Sequence, residues 1–75
     1  MDFSDEYKEY LREVIVILKE NIEDLKQKRA FSDPEEREYI AGRLFTYQEV
    51  VVSLKANLDE FGISESEIGL DQIEI

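Results

Sequence analysis

Seventy-five residues with nineteen acids and nine bases carry a net charge of −10, which repels nucleic acid and anionic lipid surfaces. There is no cysteine and no histidine, which excludes disulfide staples, the ordinary zinc sites and any Ser-His-Asp triad. A single domain over residues 1–75 buries only about 60% of the surface its unfolded chain exposes, so oligomerisation or efficient helix packing has to supply the missing stability.

The first predicted element is a helix over about residues 4–29. Ser4 suits its N-cap, Asp5 and Glu6 its first turn, and Lys26, Lys28 and Arg29 its C-terminal end. Leu11, Ile15, Leu18, Ile22 and Leu25 step by 4, 3, 4, 3 and form an apolar seam. A second apolar line, Phe3, Tyr7, Tyr10, Val14 and Ile17, runs beside it. The run Val14 to Leu18 is apolar round the whole circumference, which marks a helix buried on more than one side.

The stretch "AFSDPEE" ends that helix and starts another. Asp33 suits an N-cap, Pro34 the first helical position and Glu36 the third, as in a capping box. The second helix is expected over about residues 34–61. Ile40, Leu44, Tyr47, Val51, Leu54, Leu58 and Phe61 hold a 4, 3 alternation for three heptads. The β-branched runs "VIVIL" and "VVV" favour strands, but no strand has that period, and the length decides for helix. A four-residue link between helices of roughly 39 and 42 Å makes an antiparallel hairpin. A further stripe, Gly42, Phe45, Val52 and Ala56, contains two small residues that let another backbone come close.

Gly62 is expected at C′ with positive φ, with Ile63 reaching back to Leu58 in the Schellman pattern. The tail, residues 62–75, holds "SESE" with capping-box spacing from Ser64 to Glu67, so a single helical turn is expected before Gly69. Leu70, Ile73 and Ile75 are expected to dock on the Gly42, Phe45, Val52 stripe, with a free, partner-seeking tail as the other reading.

"EVIVILKENIEDL" (13–25) and "EVVVSLKANLDEF" (49–61) look like one phrase written twice, 36 residues apart. Leu11 falls on Tyr47, Ile15 on Val51, Leu18 on Leu54, Ile22 on Leu58 and Leu25 on Phe61. Convergence of two helices with the same task and duplication of one helix both account for this.

The fold class is therefore all-α: an antiparallel two-helix hairpin with a short C-terminal helical turn and tail, dimerising into a four-helix bundle. The dimer follows from surplus apolar surface, and Tyr10, Val14, Ile17, Gly42, Phe45 and Val52 are its candidate interface. Leaving several such side chains wet would forfeit several kcal/mol at ~25 cal/mol per Å², comparable to the stability of a small domain. Charge is uneven too: residues 59–75 carry six acids and no base. Asp59, Glu60, Glu65, Glu67, Asp71 and Glu74 are expected to form one acidic pole beside the acidic start of the first helix.

No catalytic, metal or cofactor site is legible. Glu-x-x-His pairs of a di-iron bundle cannot exist without histidine. There is no Gly-rich phosphate loop, and "DEFGISESEIG" lacks the alternating ligands of a calcium loop. The apolar runs are far shorter than the ~20 residues of a membrane span. The acidic "MDFSDEYKEY" is unlike the basic start of a secretory signal, so a soluble cytoplasmic location is expected.

"AGRLFTYQEV" and "FGISESEIGLDQI" resemble a pattern in short uncharacterised bacterial proteins. That pattern has a Gly-Arg helix with Tyr and Glu-Val, a Phe-Gly-Ile stop and an Ile-Gly-Leu-Asp tail. The resemblance covers roughly residues 41–73 and implies a bacterial origin and a helix–stop–tail layout, with no activity and no residue roles. Two function classes remain. One is a non-enzymatic helical adaptor or regulator, a homodimer that meets protein partners through apolar faces. The other is an acidic inhibitor (antitoxin, immunity protein or nucleic-acid mimic) that binds a basic partner through its acidic pole.

Overall fold

The computed structural model describes the backbone of residues 3–74 and the side chains of residues 6–74. Helix α1 spans Phe3–Ala30 and helix α2 spans Pro34–Leu58. Because α1 already includes Phe3, Ser4 lies inside the helix and does not cap it. Lys28 and Arg29 occupy its last turn, where their charge suits the carbonyl end of the helix dipole. The turn that follows is built as its sequence suggests. Asp33 holds extended backbone, its Oδ1 accepts from the Glu36 amide at 2.9 Å, and Pro34 opens α2. Ser32 is buried in the turn and its hydroxyl donates to the Lys28 carbonyl, so the polar group taken from water keeps a partner.

So short a link folds α2 back along α1, and the molecule, tail included, extends about 50 by 20 by 14 Å. Ile15, Ile22 and Leu25 meet Ile40, Leu44, Val51 and Leu58 in its core. Leu11, Leu18, Tyr47 and Leu54 pack at the margins, half-buried. The doubled phrase thus repeats a burial pattern as well as letters. Its one broken pair is Leu25 with Phe61: Leu25 is buried, while Phe61 is 73% exposed. After Leu58 the chain tightens into a 3₁₀ turn, Asp59–Phe61. A 3₁₀ turn advances about 120° per residue against 100° in an α-helix, so Phe61 is carried off the seam.

Gly62 then reverses the chain. Its φ is +65°, the Ile63 amide donates to the Leu58 carbonyl at 3.1 Å and the Gly62 amide to the Asp59 carbonyl at 3.4 Å. Those two bonds are the Schellman pair, and Ile63 sits against the core as the pattern requires. Helix α3 follows as one turn, Glu65–Ile68, ended by Gly69 at φ +81°. Its start departs from the capping-box expectation. The Ser64 hydroxyl bonds no amide of α3 and lies 3.3 Å from that of Ser66, while the Ser64 carbonyl takes the Glu67 amide. A second 3₁₀ turn, Leu70–Gln72, closes the described chain.

The tail docks, but not where the sequence suggested. Ile68, Leu70 and Ile73 join the core on the side of α1, and Leu70 is 0% exposed. The Gly42, Phe45, Val52 stripe stays exposed. The reversal at Gly62 aims the chain along α1, where Ile15 and Ile22 offer an apolar floor, whereas Phe45 and Val52 stand well round α2 from its seam. Ile75 lies outside the described residues. Among those residues no helix is long and apolar enough to cross a membrane.

Two glycines should respond to alanine with opposite signs. Gly62→Ala forces a side chain into the left-handed region and should cost on the order of 1 kcal/mol. Gly42 is mid-helix, and a Cβ there meets nothing within 4 Å. Gly42→Ala should therefore stabilise the folded chain by about 0.8–1 kcal/mol. Urea midpoints of the two variants check this, and shifts of the same sign would contradict it.

Candidate interaction surfaces

Two surfaces of the hairpin differ in kind, and the tail defines them. Along one side of α1 stand Lys8, Arg12, Lys19 and Lys26, spaced 4, 7 and 7 residues apart. That spacing keeps them on one stripe at 100° per residue. The tail lies along this stripe. The Arg12 Nε donates to the Glu67 carbonyl at 2.7 Å, Lys8 pairs with the Glu67 carboxylate at 3.5 Å, and the Lys26 ammonium donates to the Glu74 carbonyl. Arg12, Glu67 and Glu74 are exposed and Lys8 and Lys26 half-buried, so solvent still screens each contact and it is worth a fraction of a kcal/mol to about 1 kcal/mol. Burial of Ile68, Leu70 and Ile73 is the larger contribution, at roughly 1.5–3 kcal/mol per fully buried side chain. The polar contacts set the direction and register of a segment that apolar burial holds.

The placement separates the acids expected at one pole. Asp59 and Glu60 do sit at the end of the hairpin where α1 begins. Glu67 is beside Lys8 and Arg12, one to two turns in. Glu74 has travelled to Lys26, near the other end. Asp59, Glu60, Glu67, Asp71 and Glu74 are exposed and Glu65 half-exposed, so the six form a ribbon along the molecule and not a single pole.

The opposite side of the hairpin has no tail over it. Asp24, Lys28, Glu36, Tyr39 and Arg43 line one cleft there. Counting back from Lys28 by threes and fours along α1 gives Asp24, Asn21, Ile17, Val14, Tyr10 and Tyr7. The same count from Glu36 along α2 gives Tyr39, Arg43, Thr46 and Val50. Both lines therefore flank this side. Tyr10 is 67% and Ile17 56% exposed, with Tyr7, Tyr39 and Val50 also exposed and Val14 half-buried. Between them Leu18, Tyr47 and Leu54 form a half-buried floor. The Arg43 guanidinium lies 5.9 Å from the Tyr39 ring centroid, within the range of a cation–π contact.

Of the six interface candidates, the fold brings Tyr10, Val14 and Ile17 onto this open side. Phe45 belongs to the other side, where it lines a cleft with Lys26 and Arg29 of α1. Val52 follows Phe45 by two turns on α2, and Gly42 precedes it by one, so the second triplet does not join the first. Tyr39 and Val50 complete the open face and escaped the sequence reading. Arg43 and Thr46 sit between them on the same stripe, and two polar residues in a row of four hide an apolar line from a pattern search. Among the described residues no group of acids is placed to hold a metal ion. Comparison with protein-family models, with curated proteins and with solved structures finds no match.

The two kinds of tail contact should separate on mutation. Leu70→Ala opens a void at a fully buried site and should cost about 2–5 kcal/mol. Arg12→Ala removes only exposed contacts and should cost less than about 1 kcal/mol. Thermal melts of both variants measure the difference; similar losses would mean that polar contacts hold the tail.

Proposed function

We propose that this chain is a non-enzymatic protein–protein interaction module, a small helical adaptor or regulator that works as a homodimer. One observation carries the reading: the tail covers one side of the hairpin and leaves exposed aromatic and aliphatic side chains on the other. Tyr7, Tyr10, Ile17, Tyr39 and Val50 are exposed on it. Exposed apolar patches of this extent on a small molecule mark association surfaces, and tyrosine is enriched at them. Nothing comparable supports a reaction. Among the described residues the open side carries ring faces, aliphatic groups, Arg43 and the charged groups Asp24, Lys28 and Glu36, with no histidine or cysteine to act as base or nucleophile.

A second reading has an observation of its own. Residues 59–74 are held in place by buried Ile68, Leu70 and Ile73 while their carboxylates face solvent. A ribbon of acids on ordered backbone suits an inhibitor that meets a basic partner. Such binding weakens steeply with added salt, whereas binding through the apolar side changes little.

Sedimentation equilibrium at micromolar concentration tests the homodimer. The expected species has twice the chain mass of 8.8 kDa. A single species of 8.8 kDa that still unfolds cooperatively would remove the homodimer from the account.

A further inference from the structure

We infer that the occupant of the open face is a second copy of this chain, packed face to face and head to tail about a two-fold axis. The inference rests on the interaction-module reading and specifies its geometry.

Area is the first argument. The molecule measures 50 Å along its long axis and 20 and 14 Å along the other two, so a long face covers roughly 700–1,000 Å², comparable to the ~800 Å² per partner of a standard stable interface. A single added helix from another protein would leave part of that width open, since a helix with its side chains is about 10–12 Å across. Another two-helix layer covers all of it, and this chain is itself such a layer.

Charge sets the orientation. At one end of the hairpin stand Glu6, Glu9, Asp59 and Glu60, exposed and with few bases near. At the other end Lys28, Arg29, Arg37 and Arg43 stand among the exposed acids Asp24, Asp33, Glu35, Glu36 and Glu38, so that end is close to neutral. Two copies packed with the same ends together would set acidic end on acidic end. Reversing one copy sets each acidic end over the other's near-neutral end and removes that repulsion. The two-fold axis then passes near the middle of the face, where Ile17 and Tyr47 lie, and the apolar rows meet across it. A two-fold interface is self-complementary and closes, so assembly stops at two. The faces carrying the tails point outward in opposite directions, and their acidic ribbons stay in solvent and apart.

The choice of face excludes the alternative stripe. Phe45 lies on the side of α2 that shares a cleft with Lys26 and Arg29, the side occupied by the tail. A single closed interface on the open face leaves Phe45 and Val52 uncovered.

Two variants and one distance decide it. The chain has no cysteine, so Arg29→Cys gives one spin-label site per copy at the end of the hairpin. Head-to-tail packing predicts a label separation of about 35–40 Å, from the twelve residues between Ile17 and Arg29 counted twice; the parallel arrangement predicts roughly 10–20 Å. Ile17→Asp should weaken the dimer by at least about tenfold by placing an unpaired charge in the interface. It should leave the helical circular dichroism unchanged, because Ile17 is exposed in the single chain. Phe45→Asp should change dimerisation less than about twofold, as expected for a residue outside the interface. A short label distance overturns the orientation. A dimer that survives Ile17→Asp and fails with Phe45→Asp overturns the face, while self-association stands. A monomer throughout overturns this inference and the homodimer together, and leaves the face to a different protein.

Discussion

A two-helix hairpin is one layer thick and has no interior in the ordinary sense. Each seam residue has a neighbour across the hairpin and water above and below it. This structure meets that constraint by laying its last dozen residues over one side. The most deeply buried large side chains are Ile22 of α1 and Leu70 of the tail, so burial is greatest where the third layer meets the first. The two reversals that deliver it, at Gly62 and Gly69, both use positive φ, which other residues adopt only at a cost. Glycine placement, tail position and core depth are thus one arrangement.

That arrangement makes the molecule two-sided. The covered side is polar at its margins, where Lys8, Arg12 and Lys26 meet tail groups. The uncovered side keeps the surplus apolar residues of α1. Five consecutive apolar residues, Val14 to Leu18, are divided accordingly: Ile15 is in the core, Val14 and Leu18 are at the hairpin margin, and Val16 and Ile17 are exposed on different flanks. Polar residues at position 17 and in place of Tyr7, Tyr10 and Tyr39 would leave the core undisturbed, since all four side chains are exposed.

Much of the fold was legible because it is local. The heptad spacing gave both helices, Asp33 and Pro34 gave the turn, and "LDEFGI" gave the Schellman stop. The tail's course was not local, and reasoning from leftover apolar stripes sent it to Gly42, Phe45 and Val52. The signal that places it was present: Lys8, Arg12, Lys19 and Lys26 form a basic stripe on an acidic chain, matched to a segment with acids and no base. Phe61 was misplaced for a different reason, since the switch from α to 3₁₀ geometry after Leu58 leaves no mark on the heptad count. For the surface, the tyrosine and isoleucine row on α1 could be read directly, while its counterpart on α2 was broken by Arg43 and Thr46.

The central claim is that the tail is part of the core and unfolds with it. Native-state amide exchange measures this most directly. The amides of Gly69, Gln72 and Ile73 donate to Glu65, Gly69 and Leu70 carbonyls in short local turns, which alone would protect them weakly. If the tail belongs to the core, these amides exchange only through global opening, with the same free energy as the amides of Ile22 and Val51. If they exchange at the rate of an unstructured chain while α1 and α2 remain protected, the tail is an independent arm and the account is wrong.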